Sequence, residues 1–392
     1  MRTPGLAVRV LGATLAAALA ATSLAGCGDH GTPPPTLRWT PAELPAPAGS
    51  RAMPRDATWC AGRWVVAGAT VDATGLTRPA VWSSTDATTW HPLVLHPGQD
   101  FYAAHAVLGW VACSGRRLAA LGAKSGGAHG LPRTESWRQR SDGSLAAVRA
   151  PYVLYGGVHS VQASRLVGGP DGFVIAGTRT SGAAYWTSRA GEAFRLHAGV
   201  PGLANTRVTR TQAADAASDG RHWVVVGTST DVLGRLYATV WTPAGHGRWA
   251  RETLPGGRTI TTADRALSRG DAIGPVVAGV LDDRFGLWLR ARGSWGLETP
   301  FGERDPDGTS APYVSGLVLV SAQVLASYSD GARFRLALGG GRGLADQPMP
   351  TTVTVSGDHA AAVAAHLDRA LLLTDDGQRG RVWLAHVPGS SG

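Results

Sequence analysis

Short runs of β-branched and small apolar residues ending in glycine recur along the chain: Trp64-Val-Val-Ala-Gly68, Phe173-Val-Ile-Ala-Gly177, Trp223-Val-Val-Val-Gly227 and Pro275-Val-Val-Ala-Gly279, with Leu118-Ala-Ala-Leu-Gly122 as a looser copy. Runs of this length between turn residues predict strands buried on both faces. Turn chemistry precedes several of them, at Gly169-Pro-Asp-Gly172, Ser218-Asp-Gly220 and Arg269-Gly-Asp271. A second pattern follows each run: an aromatic residue, a polar turn, and a second large apolar residue. Trp82 is followed by Trp90, Trp137 by Leu145, Trp186 by Phe194 and Trp241 by Trp249, each eight positions on, and Trp288 by Trp295 seven on. Phe334 and Trp383 head two weaker copies. No long segment has helical periodicity; Ala360 to Leu367 comes nearest, and its place in the pattern argues for a strand.

The seven leading aromatics, 82, 137, 186, 241, 288, 334 and 383, are spaced 46 to 55 residues apart. A repeat near this length, built from short strands, predicts an all-β, seven-bladed β-propeller. Each blade reads as four strands: a variable inner one, a second ending in Gly, a third carrying the aromatic, and an outer one. The blades fall at about 50–95, 104–150, 157–200, 206–255, 258–300, 312–350 and 355–390. Too few residues follow Trp383 for a good fourth strand. The segment Leu37-Arg-Trp-Thr-Pro-Ala-Glu-Leu-Pro45 is similar to the outer strand of the fourth blade, Arg248-Trp-Ala-Arg-Glu-Thr-Leu-Pro255. The last blade is therefore expected to be closed by the N-terminal strand, which leaves only short edges exposed. The competing register makes Trp383 an outer-strand residue after a third strand at Ala370 to Thr374.

The first residues read as an address. Arg2 and Arg9 precede a short apolar run from Val10 to Ala21, too short to span a bilayer. Leu24-Ala-Gly-Cys27 follows and resembles the lipobox of bacterial lipoproteins. The resemblance implies a signal peptide over 1–26, lipid on Cys27, and a membrane-anchored, extracytoplasmic location. Residues 27–36, rich in Gly and Pro, read as a tether, and 37–392 as the propeller domain.

The formal charge is +9, or about +7 once Arg2 and Arg9 are removed, and Lys124 is the only lysine. The arginines are scattered singly, with no basic run, so contact with anionic envelope material is expected rather than nucleic acid. With Cys27 lipidated, Cys60 and Cys113 remain in a compartment that permits disulfides. Their contexts match, Cys60-Ala-Gly-Arg63 and Cys113-Ser-Gly-Arg116, and like positions in adjacent blades come close near the axis. A disulfide is expected; the alternative is two buried free thiols.

Ser84-Thr-Asp-Ala-Thr-Thr-Trp90 resembles the Asp-box, or BNR, repeat of sialidase-like propellers, with Ala87 in place of the usual Gly. Ser141-Asp-Gly143 keeps the turn without the Trp, and Thr187-Ser-Arg-Ala-Gly191 lacks the Asp. In that family the box ties down a turn, so the resemblance implies a structural role. A sialidase would need an arginine trio, a Tyr–Glu pair and an acid Asp. Here Met53-Pro-Arg55 does not reproduce the family's Arg-Ile-Pro, and no Tyr–Glu pair can be placed. His91, His96 and His105 lack zinc spacing, and Gly339-Gly-Gly-Arg-Gly343 lacks the spacing of a phosphate loop. No catalytic residue, metal site or cofactor is expected. A Trp at a repeated position fills space between blades more readily than it stacks on sugar. The expected function is a monomeric, non-catalytic scaffold binding protein or glycan; the alternatives are a divergent sialidase-like glycoside hydrolase and a structural accessory subunit of an envelope complex.

Overall fold

The computed structural model describes residues 36–389 apart from 127–129, 219–221, 269–273 and 341–342. The signal peptide, Cys27 and nearly all of the expected tether lie outside the described residues, as do most of the two turns at Ser218-Asp-Gly220 and Arg269-Gly-Asp271 and the middle of the Gly339–Gly343 loop. The described strands form seven separate sheets, each built on an antiparallel meander; Leu95–His96 adds parallel to Leu145–Ala147 at the edge of the blade 2 sheet, and Thr40–Ala42 joins the blade 7 sheet. In blade 1 the strands are Ser50–Cys60, Arg63–Asp72, Thr77–Ser84 and His91–Pro92. Each inner strand packs against that of the next blade, and the inner strand of blade 7 packs against that of blade 1. The protein is a seven-bladed β-propeller.

The apolar core follows from that arrangement. It divides into seven clusters, one between each pair of neighbouring blades. Both faces of the second and third strands are covered, which is why those strands read as continuous apolar runs rather than alternating ones. Trp82, Trp137, Trp186, Trp241 and Trp288 are each less than 2 % exposed. They are packing residues, and no sugar can reach their faces.

Blade 7 is composite. Thr40–Ala42 pairs antiparallel with Gly380–His386, with Thr40 opposite Leu384 and Ala42 opposite Val382. Trp383 faces Leu372 just as Trp82 faces Val66, so it is a third-strand residue, and Arg369–Asp375 is the second strand of its blade. The competing register is excluded. Pro41 lies opposite Trp383 and Arg251 opposite Trp241, which makes Trp39 the counterpart of Trp249.

Blade 6 requires a correction. The residue in the Trp position is Ala337, paired with Ala326; Phe334 stands three residues earlier, at the start of the same strand. An odd offset reverses the facing, so Phe334 turns to the core shared with blade 7, while Ala337 lies in the core shared with blade 5, which Phe285, Phe301 and Tyr328 fill.

Two junctions are reinforced. Cys60 and Cys113 form a disulfide with Cα atoms 5.5 Å apart, joining the inner strands of blades 1 and 2. At the seam between blades 7 and 1, Arg51 and Arg55 approach the two oxygens of Asp375 at 2.9 and 2.7 Å, and the Asp375 side chain has no solvent exposure.

Candidate functional site

The inner strands of blades 1, 2, 3 and 4 share a bulge. An extra residue there bends the strand and re-aims the side chain that follows it. Those following residues are Asp56, Trp110, Arg165 and Asp215, opposite Ala67, Leu121, Ala176 and Val226. Arg265 of blade 5 holds the same place opposite Ala278. Charged side chains of both signs thus gather at the axis.

Arg165 bridges the group. Its Nη2 lies 3.5 Å from Asp56 and its Nε 3.9 Å from Asp215, whose side chains are each 2 % exposed. The carboxylates also accept backbone N–H groups from the next blade: Asp56 from Val111 at 3.1 Å, Asp215 from Ala266 at 3.1 Å, and Asp264 from Val314 at 2.8 Å. Arg265 donates to the carbonyls of Ser315 and Asp264 at 3.0 and 2.7 Å. Burial pushes the carboxyls of Asp56, Asp215 and Asp264 up. Burial also opposes the charge on Arg165, but Asp56 and Asp215 outweigh it and hold that pKa up; Arg265 is lowered by burial and then by Arg165. A cavity of about 330 Å³ reaches this group, lined by Arg165, Asp215, Ser218, Arg265, Ser268 and Leu317. The cluster ties blade to blade: its carboxylates are engaged by guanidinium and by neighbouring backbone.

Other sequence candidates have local roles. In the blade 1 box the Ser84 hydroxyl accepts from Ala87 N–H at 2.8 Å, and Asp86 accepts from the N–H groups of Thr88 and Thr89, both at 2.8 Å. Ala87 takes φ +65° where the usual repeat has Gly. Asp142 makes the same kind of turn with Ser144 in blade 2, and in blade 3 Ser188 accepts from Gly191 N–H. His105 Nδ1 lies 2.9 Å from the Thr77 carbonyl, while His91 and His96 stand exposed on short outer strands. The tyrosine–carboxylate pairs among the described residues are Tyr–Asp: Tyr237 with Asp231 and Tyr328 with Asp346. Neither belongs to the axial group.

The two faces of the ring differ. One carries the loops that join second to third strands and the segments that link blades; the other carries the remaining loops. Ten of the twelve exposed large apolar residues among those described lie on the first, over blades 2 to 5; they include Phe101, Leu131, Val153, Val208, Leu233 and Ile260. Sequence reasoning missed both this face and the axial charges. The axial residues had a usable signal: Asp56, Trp110, Arg165 and Asp215 each stand twelve positions before the Gly that ends the second strand.

These features define a β-propeller with a charge-paired axis and one apolar loop face. No family model matches the sequence, and no curated protein sequence matches it. Solved structures do. The β-propeller domain of Myceliophteria thermophila Cps50 (Swd1) superposes with a TM-score of 0.53 at 12% identity, covering 90% of this chain and 100% of that one. The WD40 β-propeller domain of Doa1 gives 0.50 at 11% identity, covering 86% and 97%. At such identities the likeness establishes the fold alone.

Proposed function

We propose that the chain is a lipid-anchored, extracytoplasmic β-propeller that binds a partner and performs no catalysis. The gathering of exposed apolar side chains on one loop face carries this reading. Soluble proteins rarely leave such side chains together without a surface to meet. The axial carboxylates, where a propeller enzyme would be sought, are engaged in holding blades together. The Cys60–Cys113 disulfide suits an oxidising compartment, and Leu24-Ala-Gly-Cys27 supplies the anchoring signal. Lipid on Cys27 would hold the ring at the membrane as a scaffold, with no cofactor or metal and with a protein or glycan as ligand.

The address is tested by Cys27→Ala, which should move the protein from the membrane fraction to the soluble one. Retention of that variant on membranes washed in high salt would remove the lipoprotein reading.

A further inference from the structure

We propose that the loop face over blades 2 to 5 docks a polypeptide segment presenting apolar side chains flanked by carboxylates. The inference rests on the binding-module reading and adds to it the face and the chemistry of the partner.

The apolar chemistry points to protein rather than glycan. Eight of the ten exposed side chains on this face are aliphatic, the exceptions being Phe101 and Tyr152. Sugars are bound by open aromatic faces, and here those faces are taken: the Arg133 guanidinium lies 4.1 Å from the Tyr152 ring centroid, and Phe101 packs against His105 at 4.6 Å. Aliphatic tips suit apolar side chains of another chain.

The charge around those tips is mainly of one sign. Arg207, Arg235 and Arg258, on loops of blades 4 and 5, and Arg210, near the start of the strand Thr209–Ser218, are exposed and form no ion pair with any described residue. Apart from Asp283, which is exposed, the acids of the same loops are folded back into their own turns. Asp231 accepts from the N–H groups of Leu233 and Arg235 at 2.9 and 3.0 Å. Asp282 accepts from those of Arg258, Thr259 and Ile260 at 2.8, 3.0 and 3.1 Å. Asp100 likewise accepts from Tyr102 and Ala103 beside Phe101. These carboxylates shape turns whose tips are apolar, and the outward charge is mainly arginine. Acidic groups are what such a rim attracts, and they also speed encounter.

A membrane surface fits this face less well. The N-terminal strand starts beside Leu384, at the end of the third strand of blade 7 that leads away from the apolar loops, and runs toward them. The described strand thus enters its sheet at the end away from the apolar loops.

Photocrosslinking in the producing cells tests the proposal. A benzophenone amino acid replaces Val153 or Leu233 in the full chain, with Leu367, exposed on the opposite loops, as the control position. The expected result is a discrete protein adduct from positions 153 and 233 and none from 367. Its crosslinked peptide should mix Leu, Ile, Val or Phe with Asp or Glu. Arg207→Glu with Arg258→Glu should cut adduct yield at least about tenfold, while Arg207→Lys with Arg258→Lys keeps most of it. Both pairs are exposed, and an unchanged melting temperature confirms that they fold. Adducts to lipid or saccharide, a crosslinked segment without acidic residues, equal yield from position 367, no adduct, or indifference to charge reversal would each overturn it. Membrane release of Cys27→Ala is scored separately, so failure of the anchor and failure of the docking face are distinguishable.

Discussion

The indole N–H of Trp82 donates to the carbonyl of Pro45 at 2.8 Å. Trp288 does the same to Pro255, also at 2.8 Å, where the outer strand of blade 4 leaves its sheet. Leu44 and Leu254, the residues before these prolines, are both buried. The N-terminal segment is thus a full counterpart of an ordinary outer strand, down to the latch on the following blade. A chain beginning at Ser50 should be less stable than one beginning at Thr36 by at least about 3–5 kcal/mol, the scale of losing large core side chains. Trp82→Phe should cost about 1–3 kcal/mol, from a lost hydrogen bond and a partly emptied site. Equal melting temperatures for the two chain lengths would put the strand outside the ring.

Asp375 holds the other side of the same seam. Replacing it with Ala leaves Arg51 and Arg55 without their shared carboxylate in a largely buried place. Breaking such an arrangement from one side costs about 3–5 kcal/mol. Urea denaturation should show this loss for Asp375→Ala. A loss below about 1 kcal/mol would mean that the seam is held by its apolar contacts alone.

Asp86 makes the blade 1 turn sensitive to acid. The N–H groups of Thr89 and Thr88 and the hydroxyl of Ser84 bind its ionised form and hold its carboxyl far below the usual range. A depressed folded pKa contributes stability that is present above the unfolded value and lost as pH falls toward the folded one. Asp86→Asn should therefore be less stable than the parent at pH 7, on the order of 1 kcal/mol for the capping bonds weakened. The gap should narrow as pH falls below about 4, where the unfolded parent takes up a proton that the folded turn resists. A constant gap from pH 7 to pH 2 would contradict this assignment.

Glu135 carries the opposite sign. Burial, and then the neighbouring Asp100 carboxylate, push it from its ordinary 4.5 up to about 7. A raised folded pKa gives stability that is complete below the unfolded value and declines as pH rises through the folded one. Between pH 4.5 and about 7 the parent should lose stability relative to Glu135→Gln, which cannot ionise. Melting curves across that window check the slope, and parallel profiles would refute it.

What the sequence disclosed followed how often a physical constraint repeats. The Gly-ended runs and Trp82, Trp137, Trp186, Trp241 and Trp288 recur because every blade must fill the same gap against its neighbour. Closure was legible because Trp39 to Pro45 copies Trp249 to Pro255. Phe334 misled because blade 6 has Ala337 at the Trp position and its gap against blade 5 is filled by Phe285, Phe301 and Tyr328, while Phe334 faces blade 7. The axial group hid because its positions hold Asp, Trp, Arg, Asp and Arg, so no single residue type marks every blade, and each bulge breaks the two-residue period. The apolar face hid because its members are single residues in unrelated loops.

The pairing of Thr40 with Leu384 joins residues 344 positions apart, so the first strand of the ring must wait for the last. An emerging chain presents Thr40 long before Leu384. Until then the inner blades can stack, but the circle stays open, with blade 1 and the strand at Gly380–His386 lacking their partners. Contacts of such sequence separation form slowly, and the open edge is prone to wrong pairing while it waits. Vulnerability to proteases and to aggregation is therefore concentrated at one seam and one moment, the interval before the two ends of the chain meet.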